Sequence, residues 1–113
     1  DALPPRQQNV LLCAELINEA FLRQSAFSEI DRFCPAAKQV AMMQLLDRFI
    51  ELSVSAVVAG VDVATINSLP VMRQLRRMGE EIDNNELERF EVLEKELDSA
   101  FAALTNGRAD HAG

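Results

Sequence analysis

The residue types that could do chemistry are present, but their spacing scatters them. A loop that cradles phosphate needs closely spaced glycines leading into a lysine and a serine or threonine, so that backbone N–H groups converge on the anion. The four glycines stand apart at Gly60, Gly79, Gly107 and Gly113. Cys13 and Cys34 are distant in sequence, and the single histidine, His111, lies in a polar terminal stretch. Neither a zinc-type ligand spacing nor a cysteine–histidine nucleophile pair can be built from them. Both cysteines read as reduced, mostly buried side chains. Carboxylates crowd the last third of the chain at Glu86, Glu88, Glu91, Glu94, Glu96 and Asp98, but Arg89, Lys95 and an apolar stripe interleave with them. That pattern is a solvated helix face, and no residue is assigned a catalytic or metal-binding role.

Three smaller groups remain. Arg73, Arg76 and Arg77 form a basic cluster whose simplest use is pairing with Glu80, Glu81 and the neighbouring acidic helix. Met42, Met43, Met72 and Met78 read as core gap-fillers. Phe27 stands beyond the expected end of a helix, where the chain turns; an aromatic there serves either the core or a stacked ligand.

The elements that must position these residues are all helical. Pro4 and Pro5 suit a helix start, and Arg6 to Gln24 is free of further breakers, with Val10, Cys13, Ala14, Ile17, Ala20 and Phe21 at core spacing. Gln24 to Cys34 reads as a connection containing one brief turn, with Ser28 and Asp31 resembling a cap. A second helix is expected from Pro35 to Ala59, ended by Gly60, with a core stripe of Val40, Met43, Leu46, Phe49, Ile50, Val54 and Val57 and with Lys38 on its wet side. Asp62 should cap a short segment through Ile66, Pro70 should open a third helix to Met78 loosened by Gly79, and Asn85 with Glu88 should start a last helix running to Gly107. The absence of alternating apolar and polar runs argues against strands. The expected fold is all-α, a small bundle of about three to four helices with short connections over residues 1–106, followed by a flexible tail at 107–113.

The 113 residues suffice for one core, and 49% hydrophobic with 26% charged residues is ordinary globular usage. A net charge of −7 repels phosphate backbones and anionic headgroups, which argues against nucleic acid and membrane-surface roles. No apolar run approaches the length of a membrane span. The chain begins at Asp1 without a methionine and shows no signal peptide, which suggests a fragment of a longer polypeptide in a reducing compartment.

Phe21-Leu22-x-Gln24-x-Ala26-Phe27, then Asp31, Cys34 and Lys38, then Gly60-Val61, Ile66 and Leu69-Pro70-Val71 form a specific combination. With it the sequence resembles, over nearly its whole length, the C-terminal helical domain of the catalytic A subunit of vacuolar (V-type) and archaeal (A-type) rotary ATPases. The resemblance implies that Ala26 and Phe27 pack against the adenine of bound nucleotide. It also implies that the stretch Asp1, Ala2, Leu3, Pro4 and Pro5 contacts the rotating central shaft. Related F-type subunits carry a strongly acidic loop there, whereas this chain offers one acid, two prolines and Arg6, so a stiff turn that pushes sterically is the expected form of contact. The P-loop lysine, the general-base glutamate and the metal-binding serine or threonine would precede Asp1. The parent subunit would then hydrolyse or synthesise ATP, binding ATP or ADP with Mg, while this fragment alone would be inactive and bind no cofactor. Implied partners are the nucleotide-binding domain of the same subunit, neighbouring B subunits and central-stalk subunits, in the peripheral sector of a membrane-attached complex on the cytoplasmic side. The alternative from a different class is a stand-alone helical adaptor that holds a partner through its arginine cluster or its methionines.

Overall fold

A computed structural model describes the backbone of residues 3–31 and 36–112 and the side chains of residues 3–22 and 36–106. The described residues form five helices and no strand: α1 (Pro5–Asp31), α2 (Ala36–Val58), α3 (Val63–Asn67), α4 (Pro70–Glu81) and α5 (Glu88–Ala112). Four of them make a closed ring, α1 packing on α4, α4 on α5, α5 on α2 and α2 on α1, with short α3 laid against α1. The all-α bundle expected from the helical periodicity is therefore the one observed.

Local chemistry sets most helix ends. Pro5 opens α1 and Pro70 opens α4, positions at which the missing N–H would have no helical partner in any case. Leu69, held extended at ψ 136° before Pro70, turns the chain between α3 and α4. Gly60 follows α2 at φ 100°, a left-handed conformation that costs a residue with a Cβ about 1 kcal/mol or more.

Several ends differ from expectation. Helix α1 does not stop at Gln24 but continues to Asp31, so the stretch read as a connection is helical through that residue. Uninterrupted breaker-free sequence outweighs the weak Ser28–Asp31 cap signal. Asp62 precedes α3 but makes no side-chain cap bond; its backbone carbonyl accepts from Thr65 N and Ile66 N instead. Helix α4 runs through Gly79 to Glu81. The turn before α5 is closed by Asp83 N–H donating to the Glu86 carboxylate at 3.1 Å while Glu86 N–H returns to the Asp83 carbonyl at 3.0 Å, so the reciprocal cap sits earlier than Asn85 and Glu88. The α5 backbone extends to Ala112, past Gly107.

The core is continuous through all five helices, with Leu16, Met42, Phe49, Ile66, Leu75 and Leu97 among its fully buried side chains. Phe49 of α2 meets Phe101 of α5 edge to face, with centroids 5.9 Å apart and ring planes at 68°. Met42, Met72 and Met78 fill core space as expected, whereas Met43 is 58% exposed. Both long N-terminal helices are rotated from the expected facing. On α2 the buried stripe is Lys38, Met42, Leu45, Leu46, Phe49, Ser53 and Ala56, leaving Val40 and Val54 in solvent. On α1 it is Asn9, Leu12, Cys13, Leu16 and Ala20, while Val10 is 65% exposed and Ile17 lies at the surface. Each helix is apolar over more than half its circumference, so periodicity alone fits two facings, and the neighbours decide between them.

Candidate functional site

Helix α1 carries one of the two stretches to which the family resemblance assigns contacts, and starts at Pro5, the last residue of the other. At its start, Leu3, Pro4 and Pro5 are exposed. The side-chain amide of Gln8 donates to the Leu3 carbonyl at 2.6 Å, and Gln8 N–H donates to the Pro4 carbonyl at 2.9 Å, folding the entering chain back onto the first turn. Two prolines and two hydrogen bonds make this a stiff entry. Asp1 and Ala2 lie outside the described residues.

Near the other end, Ala26 and Phe27 belong to the α1 backbone; their side chains lie outside the described residues. The aromatic is thus mounted on a helix and not on a turn beyond one, a correction that follows directly from the extension of α1 to Asp31. The last described side chains before it divide cleanly, Phe21 packing against the core and Leu22 being exposed. From Pro5 to Phe27 the helix spans roughly 33 Å at 1.5 Å per residue, so the two candidate stretches are joined by one rod and not brought together.

Two buried polar contacts hold this rod and the following helix in place. At the α1–α2 seam, Asn9 Nδ2 donates to Ser53 Oγ at 3.0 Å, and Ser53 Oγ in turn donates to the Ile50 carbonyl at 3.0 Å. Cys13 Sγ lies 3.7 Å from the same hydroxyl. Burial pushes the Cys13 thiol up from its ordinary value, only partly offset by the Ser53 hydrogen bond, so Cys13 is a neutral packing group and a poor nucleophile. Cys34 lies outside the described residues.

The second contact was not anticipated from the sequence. Lys38, expected in solvent, is buried, and its Nζ donates to the Gly79 carbonyl at 2.9 Å. Gly79 lies in the last turn of α4, where carbonyls have no helical partner and the helix dipole favours a cationic group. A lysine on the first turn of α2 therefore caps the end of α4. The signal was available: Lys38, Met42, Leu45 and Phe49 recur at helical spacing, and Lys38 is the polar terminus of that stripe.

Arginine pairing accounts for most of the basic cluster. Arg76 bonds Glu19 of α1 at 3.4 Å and also Asn67, and Arg77 pairs with Glu80 at 3.0 Å and Glu81 at 3.5 Å. Arg48 joins α2 to α5 through Asp98 at 2.9 Å and also holds Glu51. Among the described residues no three His, Cys, Asp or Glu side chains are grouped to hold a metal ion, and no helix is long and apolar enough to cross a membrane.

Comparison with known proteins decides the family. The sequence profile described as "C-terminal domain of V and A type ATP synthase" matches residues 1–66, more than half of the chain. The chain belongs to that family. This V/A-type C-terminal domain is also similar to parts of much longer proteins. It is 40% identical over 104 residues to the A subunit of the A-type ATP synthase of Thermococcus onnurineus, covering 92% of this chain and 17% of the relative. The figures for the A subunit of the Methanopyrus kandleri A-type ATP synthase are 38% over 105 residues, 92% and 18%. For its counterpart in Pyrococcus abyssi they are 42% over 83 residues, 74% and 8%. The V/A-type domain thus spans about a sixth of the length of relatives such as the Thermococcus protein. The profile match takes in α1, α2 and most of α3, and so includes both candidate stretches.

Proposed function

We propose that this V/A-type C-terminal domain is the moving body of a catalytic A subunit, passing displacement between a nucleotide site and a central rotating shaft. Ala26 and Phe27 pack against adenine, and the stretch Asp1 to Pro5 meets the shaft sterically. The observation that carries this reading is the continuity of α1, which runs from Pro5 past Phe27. A rod that bears both contacts moves them together, as a rigid body swung about a hinge requires. Adenine needs only a flat apolar surface, which an aromatic and a small neighbour supply.

In this reading triphosphate and Mg are held elsewhere in the parent subunit. The phosphate lysine, general base and metal-binding hydroxyl are supplied by the nucleotide-binding domain of the same subunit. In that assembly the parent subunit couples ATP hydrolysis or synthesis to rotation and ion transport, beside neighbouring B subunits and central-stalk subunits on the cytoplasmic face of a membrane. Support for a larger assembly comes from Val10 and Ile17 on α1 and Met43 and Val54 on α2, apolar side chains that this domain leaves at its surface.

The test is Phe27→Ala in the complete subunit. Loss of one aromatic contact of about 1 kcal/mol should raise the nucleotide dissociation constant roughly fivefold, with little change for a Phe27→Tyr control. Unchanged affinity in Phe27→Ala would remove the adenine contact from the proposal, and tight ATP binding by the 113-residue chain alone would overturn the division of labour.

A further inference from the structure

An apolar groove of about 750 Å³ opens to solvent between α4 and α5. Val71, Val92 and Ala100 form its floor, and Val92 is 55% exposed. Arg73 borders it from α4 and Lys95 from α5. The groove continues towards Arg89 and Ile82 through Gln74, Val92 and Glu96, which line both stretches. From Arg89 to Ala100 it follows α5 for roughly 16 Å, the length of three helical turns.

Its charge is unusual for this molecule. The chain carries a net −7, and Arg48, Arg76, Arg77 and Arg89 each find a carboxylate. Arg73 and Lys95 make no ion pair or side-chain hydrogen bond among the described residues. Two cations without an ion-pair partner thus flank an apolar floor at one end, against the single carboxylate of Glu96, while at the other end Arg89 bonds the Glu86 carboxylate and the Glu81 carbonyl. At physiological salt, charges farther away than about 8 Å are largely screened, so a segment seated in the groove meets chiefly the lining itself, in which Arg73 and Lys95 stand against Glu96.

We propose that the α4–α5 groove docks an amphipathic helix of a partner chain whose apolar stripe bears a carboxylate on each flank. A shallow, open apolar strip between two helices can seat a third by the same ridge-into-groove packing that builds the bundle. Apolar side chains at i, i+4 and i+7 of the partner rest on Val71, Val92 and Ala100, and its two carboxylates meet Arg73 and Lys95. Glu96, in the α5 wall, keeps those carboxylates on the outer flanks and fixes the orientation. This docking is independent of the adenine and shaft contacts.

The test titrates the 113-residue chain, observed by amide NMR shifts at physiological salt, with two synthetic helical peptides of identical leucine stripe. One carries glutamate on both flanks and the other lysine. The glutamate peptide should bind at least tenfold more tightly, with shifts centred on Val71, Val92 and Ala100. The double variant Arg73→Glu/Lys95→Glu should reverse that preference, with circular dichroism checking that the helices are retained. Val92→Asp, also at an exposed position, should abolish binding of the glutamate peptide. Equal affinities for the two peptides, absence of binding by both, or shifts centred on α1 and α2 would each overturn the proposal.

Discussion

At the scale of single residues, Lys38 shows how a side chain with one charge and a long apolar stem can belong to a core. Its stem lines the same buried stripe as Met42 and Leu45, and its Nζ ends on the Gly79 carbonyl. Lys38→Met preserves much of the stem and removes the donor, leaving a buried helix-end carbonyl unpartnered. We expect a loss of about 1–3 kcal/mol in denaturant unfolding, with amide exchange accelerated first at the end of α4. The residue types did foretell part of the arrangement. Pairing of Arg76 and Arg77 with acids and burial of Cys13 follow from ordinary side-chain chemistry and are observed. The place of Lys38 is not legible locally, because a lysine belongs in solvent by default and only the carbonyl supplied by a distant helix reverses that default. Ala26 and Phe27 became candidates through family resemblance; their residue types alone left core and ligand roles equal.

At the scale of elements, breaker residues were legible and helix facing was not. Pro5, Pro70 and Gly60 act through their own backbone limits, so the elements they bound fall where expected. Which side of α1 or α2 is buried depends on partners far away in sequence, and Val10, Val40 and Val54 are apolar without being internal. The turn before α5 gives a pH prediction. Glu86 is held below the usual carboxylate range first by the Asp83 backbone N–H and then by the Arg89 side chain. A depressed carboxylate contributes stability that is present above the unfolded value of about 4.3 and is lost as pH falls through the folded value. The wild-type chain should therefore unfold at a higher temperature than Glu86→Gln at about pH 6, and the gap should close towards about pH 3. A gap that is constant over this range would mean that the Glu86 charge plays no part in the turn.

At the scale of the whole molecule, a ring of four helices around one core behaves as a unit. Phe49 is fully buried and reaches α5 through Phe101, so Phe49→Ala removes packing from two sides of the ring. The expected cost is about 3–5 kcal/mol, measured by denaturant titration. Protection from hydrogen exchange should fall in α1 and α4 together with α2 and α5; loss confined to α2 and α5 would show two independently melting halves. Such unity suits the proposed role of a body displaced as one piece.

The Asn9–Ser53 hydrogen bond decides which relative motions the α1–α2 pair permits. Shear of one helix past the other by a single turn, about 5.4 Å, would carry Asn9 away from Ser53 and leave its buried amide donor without that acceptor, at a cost of about 1–3 kcal/mol, while Ser53 keeps its bond to the Ile50 carbonyl. Pivoting about the same point keeps the bond. The seam therefore resists slip, and the bond works as a register pin that holds α1 in step with α2.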